Sequence, residues 1–224
     1  MQYLKFAKLA YKCSLPKEVL QHGKKINENI IEGFFHSTPN DAQYYTFVCN
    51  DNSIIFSFRG SSSLNDFMVD ANIFKICVPQ FGNNVYVHRG FHSQFIEIDE
   101  EIKTTIQNYK PTKITCVGHS LGGALATLVS LSIKKKFDVE VTCCTFGSPR
   151  VGNYAFSKEF DDNVDISLRY VNENDIVTSM PRLLYYHVRG EIYLGNKNND
   201  SWFHNFFGSV KDHYLDCYEK SILQ

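Results

Sequence analysis

One serine in this sequence has the neighbours that acyl-transfer chemistry requires. Ser120 lies between Gly118 and Gly122, which gives the spacing G-x-S-x-G. In this pattern a strand turns so sharply into a helix that side chains at the two glycine positions would collide with nearby backbone. The turn lifts the serine hydroxyl out of the sheet, and the positive end of the helix faces the group under attack. Ser120 is therefore predicted to be a nucleophile.

The residues on both sides of Ser120 support this interpretation. Residues 113–117 are mostly apolar and β-branched, as in a buried parallel strand, and residues 123–133 are small and apolar on nearly every face. A glycine-rich turn between a core strand and a core helix would contain the same pentapeptide by chance. The flanking pattern favours the nucleophile, because a strand and a helix are the context that the motif needs.

A serine nucleophile needs a base, and the base needs a carboxylate. In hydrolases with this turn the chain order is serine, acid, histidine, so both partners are expected after Ser120. Asp175 follows directly after a predicted strand, where catalytic groups of parallel sheets collect. By contrast, Asp161, Asp162 and Asp165 lie on a helix end or loop before that strand. Asp175 is the predicted acid, although an Asx turn would also account for it.

Three histidines follow Asp175 and are candidates for the base. His187 lies in a strand-like run, His204 in an aromatic loop and His213 near the end of the sequence. Topology alone does not separate them, and chain order gives His213 only a small lead. His119, next to Ser120, is expected to point away from it.

Composition limits the classes of protein to which the chain can belong. With 224 residues, 43% hydrophobic and 21% charged, residues 1–224 are predicted to form one α/β domain. The formal net charge of −1 gives no reason to expect nucleic acid. No stretch approaches the roughly 18 uninterrupted apolar residues of a membrane span. The eight histidines form no H-E-x-x-H motif, so no metal is predicted, and the acyl-transfer chemistry of Ser120 requires no organic cofactor.

Two features of the sequence predict an intracellular location. Residues 1–12 mix lysines with apolar residues and lack the continuous apolar run of a signal peptide. The seven cysteines are an odd number, and Cys49, Cys77, Cys116 and Cys143 lie in or beside apolar strands without C-x-x-C spacing. Such thiols are typical of a reducing compartment. We therefore expect an intracellular, cytoplasmic protein that associates with membranes at most peripherally.

Strands that alternate with helices predict an α/β fold with a largely parallel central sheet and an antiparallel start. Residues 1 to about 36 are predicted to be helical, with breaks at Pro16 and Gly23. Residues 42–49 and 53–58 are predicted to form a hairpin, 91–109 an amphipathic helix and 209–223 a further helix. The helix at 91–109 is the clearest of these, since apolar residues recur in it every three or four positions.

Taken together, these motifs resemble the class 3 lipases, the fungal-lipase-like branch of the α/β-hydrolases. The resemblance covers most of residues 40 to 220, and the ordered set is far more specific than any one motif. The matching segments are 55–63, 87–91, 117–124, 145–153, 174–177, 180–181, 186–193 and 212–214. The chain is shorter than typical secreted fungal members, and its cysteines do not suggest their disulfide framework.

The resemblance implies a role for each candidate residue. Ser120 would be the nucleophile, Asp175 the acid and His213 the base, while His187 would be structural. The oxyanion hole would consist of the backbone N–H groups of Leu121 and Ser61 with the Ser61 hydroxyl.

The resemblance also implies that residues 62–74 form a lid over the site. Leu64, Phe67 and Met68 would cover the pocket in water and face lipid when the lid opens. An ordinary surface helix packed on the core would show the same amphipathic spacing.

The function expected from this resemblance is hydrolysis of lipid esters, of the acylglycerol lipase type, through an acyl-enzyme. The substrate would be met at a lipid–water interface. Phospholipase or lysophospholipase action on the same residues, or transfer of the acyl group to another alcohol, are alternatives within the same chemistry. A hydrolase-fold module that binds lipid without turnover is the alternative from a different class.

Overall fold

The structure is a computed structural model that describes residues 1–12, 16–39, 41–60, 74–195 and 210–223. Several predicted site residues lie outside the described residues: Ser61 of the oxyanion loop, and Leu64, Phe67 and Met68 of the lid segment 62–74, of which only Phe74 is described. Their roles stay predictions.

The helices and strands alternate along most of the chain. The helices are α1 (Gln2–Leu9), α2 (Pro16–Ile26), α3 (Arg89–Tyr109), α4 (Leu121–Lys136), α5 (Tyr154–Asn163) and α6 (Leu215–Leu223). The strands are β1 (Ile30–Ser37), β2 (Gln43–Cys49), β3 (Ser53–Phe58), β4 (Lys75–Cys77), β5 (Tyr86–His88), β6 (Lys113–His119), β7 (Glu140–Phe146), β8 (Ile166–Asn172) and β9 (Glu191–Leu194). In the part of the chain that the structure describes, two short 3₁₀ turns occupy Ile176–Ser179 and Lys211–His213.

In the described residues, seven strands form one sheet in the order β1-β2-β3-β6-β7-β8-β9. Strands β1, β2 and β3 pair antiparallel, whereas β3, β6, β7, β8 and β9 pair parallel. The short strands β4 and β5 form a separate antiparallel pair. The predicted α/β fold, with its largely parallel sheet and antiparallel start, is confirmed. The carboxyl ends of β6, β7 and β8 lie side by side at one edge.

The large sheet is covered by helices on both faces. On one face α3, α4 and α5 pack against it, with Phe91 and Leu125 among the buried residues. On the other face α1, α2 and α6 pack against it, with Phe6 and Tyr218 buried. Helix α4 is buried from Gly122 to Ile133, which accounts for a sequence that is apolar on nearly every face. Burial of each large side chain contributes about 1.5–3 kcal/mol.

The predicted helix over residues 1–36 is wrong in its last part. Helix α2 begins at Pro16, continues through Gly23, where a break was predicted, and ends at Ile26; β1 begins at Ile30. Strand β1 is at the edge of the sheet and, of its residues, only Ile30 is fully buried. The alternation that reveals a half-buried strand is therefore weak in this segment.

Within the part of the chain that the structure describes, no helix is both long enough and apolar enough to cross a membrane.

Candidate active site

Ser120 lies at the sharp turn between β6 and α4. Its backbone has φ 57° and ψ −128°, a conformation that a non-glycine residue adopts only when its surroundings impose it. A Cβ on Gly118 would lie 2.0 Å from the Gly122 carbonyl oxygen, and one on Gly122 would lie 2.3 Å from the Phe58 carbonyl oxygen. The two glycines are thus the residues that permit the turn. The Ser120 N–H donates to the Phe146 carbonyl at 3.0 Å, which ties the turn to the end of β7.

Leu121 is the first residue of α4, so its backbone N–H belongs to the helix turn whose N–H groups lack intrahelical partners. This is where the predicted oxyanion donor should lie. The other predicted donor, Ser61, is outside the described residues, but the residue before it is close to the turn. A Cβ on Gly60 would lie 2.6 Å from the His119 carbonyl oxygen and 3.2 Å from the Ser120 Cβ.

Asp175 follows β8, is 4% exposed and accepts hydrogen bonds from three groups. Its Oδ1 accepts from the Val177 N–H at 2.9 Å, and its Oδ2 accepts from the Tyr218 hydroxyl at 2.6 Å. The third donor is the Nδ1 of His213, 2.8 Å from Oδ2 and 2.9 Å from Oδ1. Burial, followed by the nearby charge of Asp175, raises the pKa of Tyr218 well above its usual value. Tyr218 therefore stays protonated and donates.

His213 lies in the 3₁₀ turn before α6 and is completely buried. Because its Nδ1 donates to Asp175, its Nε2 carries the lone pair in the neutral ring. Among the described residues this Nε2 has no hydrogen-bond partner. Gly147, at the end of β7 with φ +59°, leaves room for the pair, since a Cβ there would lie 2.7 Å from Asp175 Oδ2 and 2.9 Å from His213 Nδ1. The contacts with Asp175 hold the buried imidazole in one orientation.

His119 connects the serine turn to the histidine segment. Its Nε2 donates to the His213 carbonyl at 2.7 Å, and the two imidazole rings lie 4.5 Å apart. The Tyr11 hydroxyl donates to His119 Nδ1 at 2.6 Å and also accepts a hydrogen bond from the Gly60 backbone. Burial and the neighbouring His213 lower the pKa of His119 well below its usual value, so this ring is neutral. His119 thus contacts the backbone of the proposed base.

The other candidates for acid and base lie elsewhere. The Nε2 of His187 contacts the Thr178 carbonyl at 2.5 Å, and burial lowers its pKa to about 3. His204 is outside the described residues. Asp165 Oδ2 accepts from the Val141 N–H at 2.7 Å, near the start of β7 and away from Ser120. Asp161 and Asp162 bond to Arg189 N and to Lys158 Nζ, respectively. Among these histidines and aspartates, the described contacts pair only His213 with Asp175.

Sequence reasoning missed three residues of this arrangement: Tyr11, Gly147 and Tyr218. Gly147 could have been found, because it ends a predicted strand within a loop of small residues. The two tyrosines carry no local signal, since each reaches the site from a distant helix or its end. Within the described residues, no group of histidine, cysteine and acidic side chains could hold a metal ion.

The fold and the position of this site at the carboxyl edge of a parallel sheet define an α/β-hydrolase. The sequence profile of the family Lipase (class 3) matches residues 55–185. The chain belongs to this family of class 3 lipases, which confirms the resemblance found in the sequence.

Relatives and solved structures agree with the family. A secreted mono- and diacylglycerol lipase A of Penicillium cyclopium is 31% identical over 173 residues, which cover 74% of this chain and 56% of that protein. The phospholipase A(1) DAD1, chloroplastic, of Arabidopsis thaliana is 42% identical over 96 residues, 41% of this chain and 22% of that protein. A triacylglycerol lipase whose catalytic centre is described as a serine protease triad has a TM-score of 0.80 at 25% identity, covering 95% of this chain and 90% of that one. The chain spans about 56% of the length of the Penicillium relative.

The predicted intracellular location is contradicted by these comparisons. The Penicillium relative is named as a secreted lipase, and the finding points to an extracellular location. The structure explains why the cysteines misled. Cys49, Cys116, Cys143 and Cys144 are buried free thiols, and a thiol packed in an apolar core is inert whatever the compartment. These four thiols therefore carry no information about location, whereas Cys77 is exposed and Cys217 is half-buried.

Proposed function

We propose that this protein is a serine hydrolase that cleaves carboxylic ester bonds of lipids through an acyl-enzyme. The observation that carries this proposal is the His213–Asp175 pair: the Nε2 of His213 has no partner among the described residues, and His119 ties its segment to Ser120. Membership of the class 3 lipase family supports it. So does the likeness to a lipase described as having a serine protease triad.

In the proposed mechanism His213 Nε2 removes the proton of the Ser120 hydroxyl as its Oγ attacks the ester carbonyl carbon. The carbonyl oxygen becomes an oxyanion, which the Leu121 and Ser61 N–H groups would stabilise. Each such donor contributes about 3 kcal/mol of transition-state stabilisation. The imidazolium then gives its proton to the departing alcohol, which leaves the acyl group on Ser120.

The second half of the reaction repeats these steps with water. His213 removes a proton from water, the hydroxide attacks the acyl carbon, and the fatty acid leaves as the proton returns to Ser120. Asp175 holds the imidazole with its proton on Nδ1 and stabilises the ring when it is charged. The hydrogen bonds from Val177 and Tyr218 fix the carboxylate for this task.

Replacement of the nucleophile tests the proposal. Ser120→Ala should lower the turnover of a soluble ester, p-nitrophenyl butyrate, by at least about 10⁴-fold. Ser130→Ala is the matched control, because Ser130 is buried in the same helix and its hydroxyl donates to the Ala126 carbonyl. A fluorophosphonate probe should label the wild type and Ser130→Ala but not Ser120→Ala. Retained turnover by Ser120→Ala would refute the proposal, and a wild type that neither reacts nor turns over would indicate a binding module.

The proposed substrate class is acylglycerols, with phospholipids as the second candidate. The name of the Penicillium relative favours mono- and diacylglycerols. The higher identity to a plant phospholipase A(1) over a shorter range favours phospholipids. Turnover of triacylglycerol, diacylglycerol, monoacylglycerol, phosphatidylcholine and its lyso form separates the two. A rise in rate above the aggregation point of the substrate would support the predicted lid at residues 62–74.

We also propose that residues 1–224 form one domain. Helices α1 and α6, which are far apart in the sequence, pack against the same face of the sheet. Lys8 of α1 contacts Asp216 and Glu219 of α6 at 2.6 Å and 2.7 Å. A single cooperative unfolding transition, followed by both circular dichroism and tyrosine fluorescence, is the expected result.

A further inference from the structure

Two adjacent leucines are the most exposed large apolar residues in the described part of the chain. Leu183 is 75% exposed and Leu184 70% exposed, in a turn over residues 182–185 that we call the dileucine turn. Leu184 has φ 60°, a conformation that glycine or asparagine adopts at lower cost. Neither packing nor turn geometry explains leucine at these positions. The side chains are therefore suited to a contact outside the chain.

Two basic side chains hold the dileucine turn in place by hydrogen bonds to its backbone and to the residues before it. Arg150 donates from Nη1 to the carbonyls of Ser179 and Pro181 at 2.6 Å and 3.1 Å. Lys75 Nζ donates to the Leu184 carbonyl at 2.7 Å and lies 4.7 Å from the centre of the buried Tyr185 ring. A rigid turn presents its leucines without an added cost of ordering when they bind.

Aromatic side chains extend the apolar surface beside the turn. Tyr186 is 45% exposed, and its ring lies 5.6 Å from that of Tyr154, which is 64% exposed. Phe74, next to Lys75, is 63% exposed. Tyrosine has an apolar ring and a polar tip, the combination found where a protein meets the head-group layer of a membrane.

The segments around the dileucine turn are basic. Residues 74–90, 147–154 and 176–186 contain Lys75, Arg89, Arg150 and Arg182 but no aspartate or glutamate, although the whole chain has a formal net charge of −1. The pKa of Arg150 is lowered by burial and by the neighbouring charge of Arg182, as expected where positive groups are crowded. Apolar side chains beside basic ones suit an anionic lipid surface, because the apolar groups can contact acyl chains while the basic groups contact the head groups.

We propose that the dileucine turn docks this protein on the surface of an anionic lipid aggregate. Leu183 and Leu184 insert at the head-group boundary, and Arg182 faces the anionic groups. The turn follows the 3₁₀ turn after Asp175, at the edge of the sheet where β6 delivers Ser120. Docking there brings the lipid to the proposed site. The purpose of docking therefore rests on the proposed function, whereas the binding to lipid does not.

Vesicle binding tests the proposal. All proteins carry Ser120→Ala, so that the vesicles stay intact, and are sedimented with vesicles of phosphatidylcholine alone or with about 30% phosphatidylglycerol. Leu183→Ser with Leu184→Asn should lower binding to the anionic vesicles by about tenfold. Arg182→Gln should lower it about fivefold on anionic vesicles and leave neutral vesicles unaffected. Ile96→Ser, which changes an exposed apolar residue of α3, is the matched control and should bind as before.

The outcomes separate the docking proposal from the proposed function. Unchanged binding by the double variant, an equal loss in Ile96→Ser, or no effect of Arg182→Gln on anionic vesicles would overturn docking as proposed. A wild-type dimer that the double variant dissociates would also overturn it, because the turn would then contact a second copy. When Ser120 is retained, the protein with Leu183→Ser and Leu184→Asn should hydrolyse p-nitrophenyl butyrate like the wild type. If Ser120→Ala hydrolyses p-nitrophenyl butyrate as fast as the wild type, the proposed function is refuted, but the vesicle-binding result is unaffected.

Discussion

The two sides of the proposed site are held in different ways. The nucleophile side, residues 118–123, is built from neighbours in the sequence: Gly118 and Gly122 make room for the turn, and the Gly123 N–H donates to the Ser120 carbonyl at 2.9 Å. The base side is held by distant residues. His213 contacts Asp175, His119 and, through Asp175, the tyrosine hydroxyl of α6.

The difference teaches where each side is vulnerable. The turn cannot accommodate an added methyl group, because the methyl would meet backbone atoms that cannot move independently. The base side is a set of buried hydrogen bonds, so the removal of one partner leaves the fold but lowers the precision with which the imidazole is held. Changes in the turn should therefore lower the stability of the fold, and changes on the base side should lower the rate in steps.

The largest effect is expected from Gly118→Ala. Its Cβ would lie 2.0 Å from the Gly122 carbonyl oxygen, so the turn must open. We expect a loss of at least about 3 kcal/mol in the free energy of unfolding, measured by urea denaturation, and loss of ester turnover. Gly90→Ala in α3 is the control, because its nearest contact would be the His88 ring at 3.2 Å. A Gly118→Ala protein as stable as Gly90→Ala would show that the turn can accommodate a methyl group.

The second largest effect is expected from Tyr218→Phe on the base side. The change removes the donor to Asp175 Oδ2 and the acceptor of the Asn172 N–H, and keeps the ring that fills the core. We expect kcat to fall by about tenfold with KM unchanged, and stability to fall by about 1–3 kcal/mol. Tyr214→Phe is the control, since Tyr214 is adjacent to His213 in sequence but 57% exposed. If Tyr218→Phe keeps the wild-type kcat, Tyr218 has no positioning role.

This contrast also explains how much could be predicted from the sequence. The turn around Ser120 was recognised because its glycines, strand and helix are contiguous, and Asp175 because it directly follows a strand. The choice among His187, His204 and His213 could not be made from topology, since it depends on contacts between segments far apart in the sequence. The same holds for Tyr11 and Tyr218, whose hydroxyls reach the site only once the helices have packed. Strand β1 was missed because an edge strand buries too little to show a clear alternation.

A pH-dependent effect of intermediate size is expected from His187, which lies beyond the base side. Burial lowers its folded-state pKa to about 3, while the unfolded chain titrates at about 6.5. The unfolded state therefore binds the extra proton first, so stability is complete above pH 6.5 and falls as the pH drops towards 3. Between pH 7 and pH 5 the loss should be roughly 2 kcal/mol.

His187→Gln tests this origin of acid sensitivity. Glutamine keeps an N–H donor for the Thr178 carbonyl but does not titrate. Urea denaturation at pH 7 and pH 5 should show a smaller drop in stability for His187→Gln than for the wild type. His36→Gln is the comparison variant, because it replaces a histidine that contacts Glu101 near the surface. Equal drops in the wild type and His187→Gln would rule out His187 as the source.

The smallest effect is expected from Tyr11→Phe, which reaches the base side through one intermediate residue. The Tyr11 hydroxyl donates to His119 Nδ1, and His119 in turn donates to the His213 carbonyl, so the loss of the hydroxyl loosens His213 only indirectly. We expect about 1 kcal/mol of destabilisation and a fall in kcat of about threefold to fivefold, with KM unchanged. Tyr3→Phe, a change in α1 away from His119, should have neither effect. If Tyr11→Phe and Tyr3→Phe have the same kcat, the hydrogen bonds of His119 do not position the imidazole of His213. The base side is then confined to Asp175, Tyr218 and His213.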